Sequence, residues 1–88
     1  MTPSPALPRV ALVTGGGRRI GRALCLDLAA QGFAVAVHHH RSAADAEAVA
    51  AEIRRAGGRA VALGADLAHE AEVETLVERA AAALGPVG

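Results

Sequence analysis

Two rhythms of apolar positions alternate along the chain. Three short aliphatic runs, Val10-Ala-Leu-Val-Thr14, Phe33-Ala-Val-Ala-Val37 and Ala60-Val-Ala-Leu63, have the length and β-branched content of buried strands. Between them the spacing changes to that of a helix. Ile20, Ala23, Leu24 and Leu28 recur at helical intervals up to Gly32, a residue suited to a helix C-terminus because it tolerates the left-handed conformation. Ser42 stands three residues before Asp45, a capping-box-like start in which each side chain can satisfy a free backbone N–H. Ala46, Val49, Ala50 and Ile53 then form a buried stripe that Gly57-Gly58 ends. Val73, Leu76, Val77, Ala80 and Leu84 mark a third helix, closed by Gly85-Pro86.

Strand and helix patterns thus alternate three times with short connections, which predicts βαβ units, right-handed crossovers and a parallel sheet, the α/β class. No longer internal repeat is present. Residues 1–8, with Pro at positions 3, 5 and 8, read as a disordered lead-in. Residues 9–88 read as one partial domain that ends where a fourth strand is expected.

Composition narrows the class. Apolar residues make up 52% of the 88 positions, and Phe33 is the one aromatic among them, as suits aliphatic parallel strands covered by helices. A domain this small buries only about 60–65% of the surface of its unfolded chain, so its stability is expected to be marginal. Nine basic residues, all Arg, balance nine acidic ones, which argues against nucleic acid or an anionic membrane as partner. The start has no signal-peptide pattern and no apolar run approaches a membrane span, so a cytoplasmic protein is expected. Cys25 stands alone and inside a predicted helix, where it reads as a small buried hydrophobe.

The stretch Thr14-Gly-Gly-Gly-Arg-Arg-Ile-Gly21 joins the first strand to the first helix. In a doubly wound sheet that turn binds pyrophosphate, because backbone N–H groups and the helix dipole both face the anion. A plain loop, with glycines for turning and arginines for solubility, is the alternative; the strand-turn-helix setting favours the anion site. Strict G-x-G-x-x-G fails, because Ile20 occupies the third glycine's place, and no Gly-Lys-Ser/Thr is present for a Walker A loop. The spacing resembles instead the T-G-x-x-x-G-x-G turn of the short-chain dehydrogenase/reductase family, with Arg19 in place of the middle glycine. That substitution resembles the pteridine-reductase branch of the family, which implies that Arg19 reaches the cofactor phosphates. The turn residues expected at the cofactor are Thr14, Gly15, Arg18, Arg19, Ile20 and Gly21.

A dinucleotide fold selects its cofactor at the end of the second strand, where a carboxylate holds the ribose hydroxyls of NAD and repels a 2′-phosphate. Here no acid occurs between Asp27 and Asp45, and the stretch reads His38-His-His-Arg-Ser42. Arg41, His40 and Ser42 can all donate to a phosphate, so NADP(H) is the expected cofactor. A solvated surface charge is the alternative for Arg41. The His-x-His-Arg-Ser ending also resembles pteridine reductases. Alternation along a strand puts His38 and His40 on one side and His39 on the other, with no Cys or carboxylate beside them in sequence, so no metal site is expected.

The family resemblance also implies an adenine contact at Ala65-Asp66-Leu67: Asp66 accepting from the exocyclic amine and the Leu67 N–H donating to the ring. A turn residue with no ligand is the alternative for Asp66. The implied fold is a Rossmann-type doubly wound parallel sheet, of which the chain holds the first βαβαβα half. The family's Asn-Asn-Ala-Gly and Tyr-x-x-x-Lys motifs have no counterpart in a chain without Tyr, Lys or Asn. The resemblance therefore implies the NADP(H)-binding front of an oxidoreductase that moves hydride between NADPH and a carbonyl or pterin-like C=N substrate. The 88 residues are expected to be inactive alone, and the full-length form to be a homo-oligomer. A non-enzymatic nucleotide-binding or interaction module is the competing reading.

Overall fold

A computed structural model of the chain describes residues 9–15 and 19–85. The expected lead-in at 1–8, Arg18 and Pro86 lie outside the described residues. The elements run β1 (Val10–Val13), α1 (Arg19–Ala30), β2 (Ala34–His39), α2 (Ala43–Arg55), β3 (Ala60–Gly64) and α3 (Glu70–Leu84). β2 continues two residues past the aliphatic run, so His38 and His39 are strand residues.

The three strands form one parallel sheet in the order β1-β2-β3. Val13 pairs with Val37, and His39 with Gly64. Alternation along each strand divides the core in two. On one face Val13, Val35, Val37 and Ala60 pack with Cys25 of α1 and Ala46, Val49, Ala50 and Ile53 of α2. On the other, Val10, Ala34 and Ala36 pack with Ala80 and Leu84 of α3. Helices on both faces of a parallel sheet are the doubly wound arrangement.

The first two helices end alike. Gly32 and Gly57 take φ of 97° and 92°, and the next residue's N–H reaches back to close the helix, Phe33 to the Leu28 carbonyl and Gly58 to the Ile53 carbonyl, both at 3.0 Å. This six-to-one bond needs a left-handed residue before it, hence glycine.

Three expectations of detail are corrected. The capping box is not formed: Ser42 occupies the N-cap of α2 but makes no side-chain cap bond, its φ of −108° and ψ of 51° departing from the extended backbone that aims a hydroxyl at the first turn. In α1 the buried side chain is Cys25, with Leu26, Leu28 and Ala29 packed at the core's margin, whereas Ile20 and Leu24 are 86% and 46% exposed. In α3, Leu76, Ala80 and Leu84 are buried while Val73 and Val77 face outward.

Candidate nucleotide site

Parallel strands deliver their C-terminal ends to one edge of the sheet, and the loops that follow meet there. Thr14 and Gly15 follow β1, His40 to Ser42 follow β2, and Ala65 to Leu67 follow β3.

After β1, Gly15 takes φ of 64°, which L side chains rarely adopt, and a Cβ placed on it would meet nothing within 4 Å. Its surface is therefore open to a ligand, and the conformation rather than crowding requires glycine. Its own N–H is directed inward, donating to His38 Nδ1 at 3.1 Å. Gly15 thus serves the turn by its shape, and its N–H is already engaged by His38. Arg19 and Ile20 open α1 and are exposed, with Gly21 half-buried one step further in. No acidic residue stands in the first turn of α1, so nothing there opposes the positive end of its dipole.

After β2, His40 and Arg41 are exposed and Ser42 is half-buried at the start of α2. His40 Nε2 lies 3.7 Å from Asp66 Oδ2. Asp66 Oδ1 accepts the Ala68 N–H at 2.9 Å, and Oδ2 also lies 3.6 Å from His69 Nε2. That backbone bond, followed by the charges of His40, His69 and Arg41, holds the Asp66 carboxyl below its ordinary range. The loops after β2 and β3 are thus electrostatically one surface. Leu67 beside it is 40% exposed.

Sequence reasoning missed His38. It is 4% exposed, on the α3 face of β2, and its Nε2 lies 2.8 Å from the Ala65 carbonyl oxygen. The signal was available: a histidine continuing the inward series Ala34, Ala36 on the middle strand ends between two loops. His39 turns to the opposite face, where its ring lies so close to Gly64 that a Cβ there would come within 2.9 Å of Cε1. The three histidines are therefore dispersed. Asp66, His69 and Glu72 do bring possible ligand atoms within 4.8 Å of one another. Two of those carboxylates already accept backbone N–H groups, Asp66 from Ala68 and Glu72 from Asp66.

Cys25 is fully buried, and burial pushes its thiol up to about 11, which makes it inert packing. A groove of about 590 Å³, lined by Leu26, Phe33, Ile53 and Arg59 among others, lies at the other end of the sheet, where β2 and β3 begin. No described helix is long and apolar enough to cross a membrane.

The residues at the strand ends fit a dinucleotide phosphate: open space over Gly15, exposed Arg19 and Arg41, and no carboxylate on the end of β2. Residues 9–88 match the short chain dehydrogenase family. Over 72 residues the chain is 42% identical to the short-chain dehydrogenase/reductase homolog YusS of Bacillus subtilis, covering 82% of this chain and 66% of YusS. FolM alternative dihydrofolate reductase 1 from Brucella canis, solved complexed with NADP, is 47% identical with a TM-score of 0.83 over 90% of this chain and 31% of that one. A short-chain dehydrogenase/reductase from Serratia marcescens is 40% identical with a TM-score of 0.85, over 96% of this chain and 34% of the other. The chain therefore spans about a third of the length of these solved relatives, and the FolM likeness is consistent with the pteridine-reductase-like motifs. A family match over residues 9–88, joined to a doubly wound parallel sheet with a glycine turn after its first strand, makes this chain a member of the short-chain dehydrogenase/reductase family of oxidoreductases.

Proposed function

We propose that this chain is the NADP(H)-binding part of a reductase, holding the 2′-phosphate with Arg41, His40 and Ser42. The observation that carries this is the end of β2, whose own residues 38–42 hold no carboxylate and expose His40 and Arg41, with the Asp66 carboxylate of the next loop 3.7 Å from His40. In this reading Thr14, Gly15, Arg18, Arg19, Ile20 and Gly21 surround the pyrophosphate, and Asp66 and Leu67 flank the adenine. Support also comes from the NADP bound by the Brucella relative.

The cofactor supplies hydride. The chain's own residues bind and orient its phosphates by charge-assisted hydrogen bonds. The proton donor that the family resemblance implies, the tyrosine of a Tyr-x-x-x-Lys motif, has no counterpart in these 88 residues, which include no Tyr or Lys. The complete reductase, in this proposal a cytoplasmic homo-oligomer, acts on a carbonyl or a pterin-like C=N bond.

The test is the ratio of NADPH to NADH dissociation constants. A hydrogen bond to a charged group is worth about 1.5–3 kcal/mol, or roughly 10- to 150-fold. Arg41→Ala should weaken NADPH by that factor and leave NADH nearly unchanged. His39→Asp combined with Arg41→Ala should go further, by offering the ribose hydroxyls an acceptor and repelling phosphate. Arg19→Ala should change the ratio less, because the pyrophosphate is common to both cofactors. In the same titrations a ketone substrate should cause no oxidation of NADPH by the 88-residue chain. An unchanged ratio in Arg41→Ala would reduce the basic end of β2 to a solvated turn.

A further inference from the structure

His38 sits between two groups of fixed polarity. The Gly15 N–H can only donate and reaches Nδ1 at 3.1 Å, while the Ala65 carbonyl can only accept and lies 2.8 Å from Nε2. Both contacts are satisfied at once by a single species, the neutral ring with its proton on Nε2. An imidazolium or the other tautomer would set a proton against the Gly15 N–H, in a place where His38 is only 4% exposed and water cannot substitute.

These two partners are not neighbours in the fold. Gly15 belongs to the glycine turn after β1, and Ala65 to the loop after β3, on opposite sides of β2. β1 and β3 do not pair with each other, so main-chain ladders tie each loop only to β2. Among the described residues the loop after β3 has one such tie, the Ala65 N–H to the His39 carbonyl at 3.0 Å. Gly15 lies beyond the last β1 ladder pair, Val13 with Val37. The His38 ring spans this gap with a rigid aromatic frame.

We infer that His38 is a positioning residue of the nucleotide site: as the Nε2–H tautomer it joins the glycine turn after β1 to the loop after β3, and so sets how the pyrophosphate and adenine ends of the site are spaced. The inference rests on the proposed nucleotide site but concerns a different step. His38 acts through Gly15, on a part of the ligand that NADP(H) and NAD(H) share, so its loss weakens both and leaves their ratio alone. Arg41 moves the ratio.

The experiment compares the wild-type chain with His38→Phe and His38→Asn. Phenylalanine keeps a buried ring without either hydrogen bond. Asparagine places Oδ1 near the position of Nδ1 and keeps the Gly15 contact, though it is too short for Ala65. Histidine ¹⁵N spectra of the wild type should show a neutral His38 protonated at Nε2. The Gly15 amide should be protected from hydrogen exchange in wild type and His38→Asn, and lose that protection in His38→Phe. NADP⁺ and NAD⁺ should both bind about 3- to 10-fold more weakly to His38→Phe, the worth of one neutral hydrogen bond, with most of the loss restored in His38→Asn. A ring charged or protonated at Nδ1, or equal affinity in wild type and His38→Phe, overturns the inference. Equal losses in His38→Phe and His38→Asn that follow their melting temperatures overturn it too, by making His38 only a packing residue. If the wild type binds neither nucleotide, the nucleotide-site reading fails, and the tautomer and the Gly15 amide alone decide whether His38 joins the loops.

Discussion

Asp66 shows how far a family motif carries and where local structure takes over. The Ala65-Asp66-Leu67 motif implies a carboxylate that accepts from adenine. In the structure one oxygen is already committed to the Ala68 N–H, and the other faces His40 and His69. The Ala68 bond is the main reason the carboxyl titrates low, with His40, His69 and Arg41 adding to it. The sign follows from linkage. A depressed folded-state value stabilises the fold above the unfolded aspartate value, and that contribution is lost as pH falls through the folded value. Because the carboxylate is reached by solvent, the effect belongs to the titration more than to stability. Carboxyl ¹³C titration should place Asp66 below its ordinary value of 3.8. Replacing His40 and His69 by Gln should raise it while leaving it low, since the Ala68 bond persists. A midpoint at or above the ordinary value would contradict this geometry.

The helices differ in how plainly their sequences announce their packing. In α2 the predicted stripe of Ala46, Val49, Ala50 and Ile53 is the observed one, since both β-branched aliphatic residues of the helix lie in it and the rest of the helix offers only alanines and the charged Asp45, Glu47, Glu52, Arg54 and Arg55. In α1 the apolar residues spread around more of the helix. The sheet takes Cys25, and Ile20 and Leu24 lie outside it, so periodicity gave the helix without giving its buried face. The end of β1 was readable from the glycines that follow it, whereas β3 runs one residue past its aliphatic run to Gly64 and β2 two residues past its own, to the polar His38 and His39. The capping-box pattern misled because spacing cannot reveal the backbone angles of Ser42.

Within α2, Ile53 is 2% exposed and touches two parts of the fold. It packs in the core below the sheet, and a Cβ on Gly58 would fall 2.8 Å from its Cγ2 and 3.3 Å from its carbonyl oxygen. Ile53→Ala should cost about 2–5 kcal/mol, read as a lower urea midpoint. Gly58→Ala should also destabilise, because the branched Cγ2 and the backbone carbonyl cannot both move aside. By contrast the Arg22–Glu52 pair, at 2.7 Å between α1 and α2, is about half-exposed at both ends and contributes at most about 1 kcal/mol. A neutral outcome for Ile53→Ala would mean that α2 is not held by this stripe.

Taken together, the apolar surface left outward defines how the chain should behave in solution. Ile20 and Leu24 stand one turn apart on α1, and Val73 and Val77 one turn apart on α3, on opposite faces of the sheet. One edge of β1 has no strand beside it among the described residues. The Arg9 carbonyl accepts the Ala34 N–H at 2.8 Å, so alternation turns the backbone groups of Leu12 away from β2. An unpaired aliphatic edge pairs readily with another chain, and apolar helix faces add area to such contacts. The 88-residue chain should therefore self-associate, with weight-average mass in sedimentation velocity rising with concentration. Hydrogen exchange locates the contact: the Leu12 amide should gain protection as concentration rises, whereas Ala11 and Val13, which face β2, should be protected throughout. Ile20→Ser with Leu24→Ser should weaken association if α1 takes part, and Val73→Ser with Val77→Ser if α3 does. A strictly monomeric species with a sharp, cooperative melt at high concentration would show that these surfaces are tolerated in water and that the three-stranded unit is stable by itself.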